Sequence, residues 1–293
     1  MKYILLFIIL FLISFSSFSQ ENDEVRYARY SYLNSYHRYY KTTLTKKDSL
    51  NFMFRDKDTL VLITKDMQAA GSFVDYVHKD STFLSDYKKV AFNHKNDSLD
   101  HATTMKYWKN DIKLFFAKSV SRKEKKSILK FTENISNTVD SLNIYEAKNH
   151  ADSNYVIYSS NDYEYEKNLK NIKNADFWIY WNDDSQLNKG FIKINKKKYS
   201  RKSLRIEKIK ILLFQSLGYF KLSDEFDCNS YFSNCYSENK QITDFDYELL
   251  QYHYCYGICK GNSLRTFEAK HEEVQEILSK SDDMYYRFHY PNN

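Results

Sequence analysis

The sequence predicts an α+β protein that carries an additional N-terminal segment. Apolar residues make up 42% of the 293 residues and charged residues 28%, which is enough for one large domain with its own core. From about residue 106, short aromatic and β-branched runs alternate with longer segments of helical periodicity. Five glycines and one proline exclude collagen-like and proline-rich chains, and they leave little room for a glycine-rich phosphate loop.

Residues 1–19 predict a secretory signal peptide. Lys2 precedes an unbroken apolar run from Tyr3 to Ile13, and Ser17 and Ser19 place small residues before Gln20. The run is shorter than the roughly 20 apolar residues that span a bilayer. We therefore expect export, a mature chain that starts at Gln20, and no transmembrane helix after cleavage.

Residues 20–105 are rich in tyrosine and predict an N-terminal extension packed on the main domain. Within this segment we expect a helix over Arg26–Tyr40, a strand over Thr59–Thr64 and a second helix over Asp66–His78.

Residues 106–280 predict the main domain, and residues 281–293 a C-terminal tail. Ser121 and Glu124 form a capping-box pattern, followed by apolar residues at helical spacing. Strands are expected at Ile112–Phe116, Tyr155–Tyr158, Phe177–Trp181 and Phe191–Ile194, the last of them half-exposed because apolar and basic residues alternate. Three more helices are expected: a deeply buried one from Ser203 through Leu217 that Gly218 stops, one capped by Thr243, and one over Thr266–Lys280.

All four cysteines lie in one short stretch, at Cys228, Cys235, Cys255 and Cys259. An even number of clustered cysteines in an exported chain favours two disulfides, and three pairings are open. The local pairs Cys228–Cys235 and Cys255–Cys259 are one of these pairings. A zinc site made by these thiolates with His253 is the alternative, although the spacings differ from those of common zinc ribbons.

The order of strand, helix, three strands and a buried helix ending in Leu217-Gly218 resembles the N-terminal half of zincin metallopeptidases, the metzincin-like group in particular. The resemblance implies a mixed sheet, a buried "active-site" helix and C-terminal helices. In active members that helix carries H-E-x-x-H-x-x-G-x-x-H, in which the histidines bind zinc and the glutamate is the general base. When the pattern is anchored on Gly218, its catalytic positions fall on Ile211, Leu212, Gln215 and Lys221.

None of these four residues suits the motif, so the resemblance is to a degenerate version, such as an uncharacterised family of exported proteins with glutamine at the second-histidine position. Two downstream features fit the same resemblance. Ser230-Tyr231-Phe232 stands where these domains place the turn beneath the metal. Thr243, Asp246, Leu250 and Tyr254 resemble the helix L-T-x-x-D-x-x-x-L-x-x-L-Y.

The formal charge is +6, and basic residues cluster at Arg122–Lys126 and Lys193–Arg205. Solvent-exposed faces of helices and loops explain these clusters, and attraction to an anionic envelope surface is the alternative explanation. Nucleic-acid binding is disfavoured because arginine is scarce, no recognised motif occurs and export is expected.

Trp178, Tyr180 and Trp181 lie on a predicted strand, where core packing or an open aromatic platform for sugars or peptides would explain them.

The sequence thus predicts an exported, catalytically inactive binding or structural protein of the cell envelope. It indicates no catalytic residue, no metal ligand and no cofactor. The partner classes are an extended peptide or an envelope glycan. The alternatives are an exported, metallopeptidase-like hydrolase that uses non-standard catalytic residues and a glycan-binding module of the envelope.

Overall fold

The computed structural model describes residues 29–40, 43–55, 58–64, 67, 72–92, 102–238, 240–255, 260–278 and 287–290. The predicted signal peptide lies outside these ranges. The chain forms two compact units, one of residues 1–71 with 291–293 and one of residues 72–290. No helix within the described ranges is both long enough and apolar enough to cross a membrane.

The smaller unit contains a three-stranded antiparallel sheet. Its strands are β1 (Arg29–Tyr32), β2 (Met53–Arg55) and β3 (Asp58–Ile63), and β3 lies in the middle. Helix α1 (Leu33–Tyr39) directly follows β1. The strand predicted at Thr59–Thr64 is therefore confirmed as β3. The helix predicted over Arg26–Tyr40 is wrong at Arg29–Tyr32, because these residues form β1 and pair with β3, while residues 26–28 lie outside the described ranges.

The larger unit is built on a mostly parallel sheet. Its strands are β5 (Tyr107–Trp108), β6 (Ile112–Phe116), β7 (Ile144–Glu146), β8 (Tyr155–Ser159), β9 (Ala175–Trp181) and β10 (Gln186–Ile194). The order runs β7-β6-β8-β10, and both β5 and β9 lie beside β10. All pairs are parallel except β9 with β10. The α+β class is thus confirmed.

Five helices of the larger unit are described: α2 (Ser81–Ala91), α3 (Arg122–Thr138), α4 (Lys202–Ser216), α5 (Asp244–Tyr254) and α6 (Leu264–Leu278). The capping box at the start of α3 is confirmed, since the backbone N of Ser121 donates to Glu124 Oε2 at 2.8 Å. Helices α4 and α6 begin within two residues of their predicted starts, and α5 begins directly after its predicted cap, Thr243.

Two expectations for this unit are wrong, and strand β7 is an addition that was not predicted. The segment expected as a helix over Asp66–His78 contains strand β4 (Ser72–Asp75), which pairs antiparallel with β11 (Arg287–Tyr290) in the expected tail. Strand β7 was not expected, because it is short and two of its three residues are exposed. Phe191–Ile194 is fully buried instead of half-exposed, since Lys193 Nζ donates to the carbonyl of Leu169 at 3.0 Å and pairs with Glu164.

The two faces of the sheet are covered differently. The main core fills the face toward the helices and includes Tyr155 and Ile192 of the sheet and Leu213 of α4. A smaller cluster on the other face joins Val156, Tyr158 and Phe191 to Leu169 of the loop before β9. Helix α2 contributes Phe83, Tyr87 and Val90 to the main core of the larger unit, which starts at Ser72.

Candidate functional site

Helix α4 is the element that the sequence singles out as the former active-site helix. Leu212, Leu213 and Phe214 are buried in the main core, and the helix packs on β9 and β10. Lys208, Ile211 and Gln215 recur at helical spacing and are half-buried. Burial lowers the pKa of Lys208, although the carboxylate of Asp176 opposes this effect. This half-buried stripe is the surface on which a zinc-binding helix would present its ligands.

The residues at the four positions that the zincin motif would occupy do not fit a zinc ion. Ile211 has no donor atom, and Leu212 is 3% exposed within the core. Gln215 Nε2 donates to the carbonyl of Phe220 at 3.3 Å, and Lys221 is a cation that repels a metal. In the described ranges, no three His, Cys, Asp or Glu side chains are grouped to hold a metal ion. We therefore derive no metal chemistry at this helix.

The end of α4 is shaped by close packing at Gly218. A Cβ on Gly218 would lie 2.3 Å from the ring of Phe220 and 2.7 Å from His253 Nε2. The left-handed residue that ends the helix is Tyr219, with φ of 54°, and Phe220 N donates back to Gln215 O at 2.8 Å. The helix therefore ends where the sequence predicts. Gly218 is required because a Cβ there would clash with Phe220 and His253, whereas Tyr219 adopts the left-handed conformation that ends the helix.

A disulfide-bonded turn packs against α4. Cys228 and Cys235 are bonded, with their Cα atoms 5.2 Å apart, and Phe232 inside this loop lies 4.9 Å from the ring of Phe214. Asp246 of α5 is fully buried and accepts hydrogen bonds from Tyr231 N and Thr243 N. The turn, α4 and α5 thus form one packed unit.

The second pair of cysteines is not joined within the described ranges. Cys255 is half-buried and has no disulfide partner among the residues that the structure describes, and Cys259 lies outside them. The prediction of disulfides is therefore confirmed for Cys228–Cys235, which is one of the open pairings, and bonding between Cys255 and Cys259 stays a prediction.

Strand β9 is an edge strand among the described strands, since β10 is its only partner there. Asn195 N donates to Asn174 O at 2.8 Å, which marks these two residues as a hydrogen-bonded pair. Hydrogen-bonded pairs alternate along an antiparallel ladder, so the backbone N–H and C=O groups of Asp176 and Trp178 point toward β10. The backbone groups of Phe177 and Ile179 therefore point away from β10. Phe177 N accordingly donates to the carboxylate of Asp176 at 2.8 Å and not to the ladder.

The three aromatic residues of the expected platform lie on both faces of β9. Trp178 and Tyr180 share one face, with ring centroids 6.4 Å apart and planes at 68°. Trp181 lies on the other face, where its ring is 5.5 Å from that of Tyr219. The three rings therefore do not share one face, because residues three apart on a strand point to opposite faces. Two rings at 68° also do not offer one flat stacking surface.

Tyr180 is fixed to the loop before β9 instead of projecting freely. Its hydroxyl donates to Glu166 Oε2 at 2.9 Å, and Glu166 Oε1 accepts from Asn168 Nδ2 at 2.7 Å. Burial and the adjacent carboxylate raise the pKa of Tyr180. This contact has a structural explanation, since it holds the loop on the sheet.

A serine–lysine cluster lies at the turn between β9 and β10, and the sequence did not reveal it. Ser185 Oγ is 2.6 Å from Thr104 Oγ1 and 3.2 Å from Lys106 Nζ, and Ser185 has a φ of 64°. Such groups resemble a serine nucleophile with a lysine base. Ser185 is only 4% exposed, however, so its hydroxyl does not face a substrate. No local motif links residues so far apart in sequence, which is why the pattern gave no signal.

Comparisons of the chain with protein-family models, with characterised proteins and with solved structures find no match.

Proposed function

We propose that this chain is an exported protein with a zincin-like domain that has lost its catalytic zinc, and that it binds an extended peptide along β9. The binding site comprises the outward edge of β9 and the adjacent stripe of α4. The protein acts as a binding or structural component of the cell envelope and not as a peptidase.

The observation that carries this proposal is the outward edge of β9. Phe177 and Ile179 direct backbone donors and acceptors away from β10, and an extended peptide pairs with such an edge by strand addition. Side chains of the peptide at alternate positions would meet Trp181 and Tyr219, whose rings lie together at the end of α4. In the absence of a peptide, the carboxylate of Asp176 protects the N–H of Phe177.

The order of elements supports the zincin-like part of the proposal. The chain runs from β6 through α3 to a group of strands and then to the buried helix α4, with strand β7 as an addition to the expected order. The turn with Tyr231 and Phe232 packs against α4, where the resemblance expects the turn beneath the metal. The helix capped by Thr243 follows it.

Two observations support export. The disulfide Cys228–Cys235 belongs to an oxidising compartment more often than to a reducing one. The apolar run from Tyr3 to Ile13 has the form of a signal peptide, although it lies outside the described residues.

The test uses the mature chain on an array of random-sequence peptides. Phe177→Pro removes the outward N–H, which an edge strand tolerates there, and the matched control Phe177→Leu removes the ring but keeps the N–H. We expect Phe177→Leu to retain peptide binding and Phe177→Pro to weaken it about tenfold, the equivalent of one hydrogen bond.

Two results would overturn the proposal. Equal binding by the two folded variants, or no peptide retained by the parent chain, would reject strand addition at β9. Hydrolysis of casein that a chelator abolishes would show a metallopeptidase instead.

A further inference from the structure

The two basic clusters of the sequence meet at one end of the main sheet. Strands β6, β8 and β10 are parallel, so their carboxyl ends lie at the same edge. Lys118 follows β6 there, and Arg122 begins α3. The segment 196–202 follows β10 and leads into α4 at the same edge.

Direct contacts hold these segments together. Arg205 Nε lies 2.6 Å from Glu124 Oε1, which joins the starts of α3 and α4. Lys196 Nζ donates to the carbonyl of Ser119. Asn195 Nδ2 donates to the carbonyl of Lys173 at 2.9 Å, which brings the loop before β9 to the same end. We call this surface the basic end. Its exposed cations are Lys118, Arg122, Lys123, Lys170, Lys173, Lys197, Lys198, Arg201 and Lys202.

The positive charge of the basic end is not neutralised by its acidic residues. None of the nine exposed cations forms an ion pair within the described part of the chain. Glu124 is buried against Arg205, and Glu164 pairs with Lys193. Asp162 accepts hydrogen bonds from Ser119 and Ser159, which lower its pKa although burial opposes this. These three acids are therefore engaged inside the fold, and the exposed carboxylate of Asp176 at the start of β9 offsets only one of the nine charges.

Two exposed apolar side chains lie among these cations. Tyr163 follows the carboxyl end of β8 and is 77% exposed, and Leu204 in the first turn of α4 is 38% exposed. Basic residues interspersed with an exposed aromatic and an exposed aliphatic residue suit the headgroup region of a bilayer. Lysine dominates the set, and its hydrated point charge suits a diffuse layer of phosphates more than one fixed bidentate contact.

We propose that the basic end docks the protein on an anionic lipid surface. The cations lie over the headgroup phosphates, while Tyr163 and Leu204 enter the boundary between headgroups and acyl chains. This inference does not depend on peptide binding, because β9 contributes none of the nine cations.

The test measures sedimentation of the mature chain with vesicles of phosphatidylcholine alone or mixed with phosphatidylglycerol. The variant Lys197→Gln/Lys198→Gln/Arg201→Gln/Lys202→Gln removes four exposed cations from the basic end. The control Lys109→Gln/Lys130→Gln/Lys189→Gln/Arg265→Gln removes the same charge from exposed positions elsewhere.

We expect the parent chain to bind only the phosphatidylglycerol vesicles and to release them at high salt. Each cation removed from the basic end should lower the partition coefficient about fivefold, whereas the control should bind nearly as the parent does. Tyr163→Ala should weaken binding without changing the salt dependence.

Three results would overturn the proposal. The first is that the parent chain does not sediment with phosphatidylglycerol vesicles at low salt. The control could lose as much binding as the variant, which would indicate net charge alone. The variant could lose binding to soluble heparin but not to vesicles, which would indicate a polyanionic glycan as the occupant.

Discussion

Arg205 Nε lies 2.6 Å from Glu124 Oε1, and this ion pair is buried between the starts of α3 and α4. The Glu124 side chain is 2% exposed and also accepts a hydrogen bond from Ser121 N at 2.8 Å. Arg205 donates in addition to the carbonyls of Tyr199 and Ser200. The capping box of α3 and the first turn of α4 are therefore stabilised by one carboxylate.

The first prediction concerns that carboxylate. Glu124→Gln keeps the shape but leaves the charge of Arg205 buried and uncompensated, so the free energy of unfolding should fall by about 3 kcal/mol. Urea denaturation at neutral pH measures this loss. The double variant Glu124→Leu/Arg205→Met removes both charges and should lose less than the single variant. A single variant as stable as the parent would contradict a buried, coupled pair.

The second prediction concerns pH and the same group. Burial would raise the pKa of Glu124, but hydrogen bonds from Ser121 and Arg205 outweigh it and hold the pKa below its ordinary value of 4.5. Its stabilisation is therefore present above pH 4.5 and is lost as the pH falls through the lower folded value. Denaturation curves between neutral and strongly acidic pH should converge for the parent and Glu124→Gln. Curves that stay parallel would reject this assignment.

The third prediction concerns His271 of α6. Its ring lies 2.9 Å from the hydroxyl of Tyr76 and 3.1 Å from that of Tyr252, and it is 6% exposed. Burial first, and then the positive charges of Lys88 and His78, lower the pKa of His271 from 6.5 to about 4.

Since the unfolded chain binds this proton more tightly, the stability due to His271 is complete above pH 6.5 and falls between pH 6.5 and about 4. The loss should reach about 3 kcal/mol, at about 1.4 kcal/mol for each pKa unit. His271→Gln keeps hydrogen-bonding capacity without the titration, so it should remove this component of the pH dependence. NMR titration of a His271 ring proton with a midpoint near its ordinary value would contradict the prediction.

Local patterns predicted the helix starts well. Ser121 with Glu124 and Thr243 with Asp246 cap helices through contacts only three residues apart, and a sequence records such contacts directly. The face of Ile128 and Ile135 likewise follows from helical spacing, and both residues are buried.

The missed features depend on partners that are distant in sequence. Strand β4 was expected to be helical because its partner, β11, lies near the other end of the chain. Lys193 was expected to be half-exposed, but Glu164 and the carbonyls of the preceding loop compensate its burial. Ser185 and Lys106 meet only after β5 and β10 pair, so no local pattern indicates their cluster.

The fourth prediction concerns the Cys228–Cys235 disulfide. It closes a short loop that contains the buried rings of Tyr231 and Phe232, so Cys228→Ser/Cys235→Ser should lower the free energy of unfolding by about 2–3 kcal/mol. The variant Cys255→Ala serves as a control because it leaves the Cys228–Cys235 bridge intact. Denaturation with and without a reducing agent measures both effects. If reduction leaves the parent as stable as before, the bridge does not constrain this turn.

The last prediction is that the mature chain, freed of metal by a chelator and then offered zinc, retains no zinc at α4. Gln215→His alone should also retain none, because Ile211 offers no second ligand one turn earlier. Ile211→His/Gln215→His recreates an i, i+4 histidine pair on the half-buried stripe of the helix and should bind zinc measurably.

Even that double variant should not hydrolyse casein. The general base would have to replace Leu212, which is 3% exposed in the main core, and a glutamate there would be a buried and unpaired charge. One zinc per parent chain together with chelator-sensitive hydrolysis would reject the inactive reading. If the parent chain binds zinc without hydrolysing casein and the Cys255→Ser variant binds none, the metal lies at Cys255. Cys228 and Cys235 are bonded to each other and offer no thiolate.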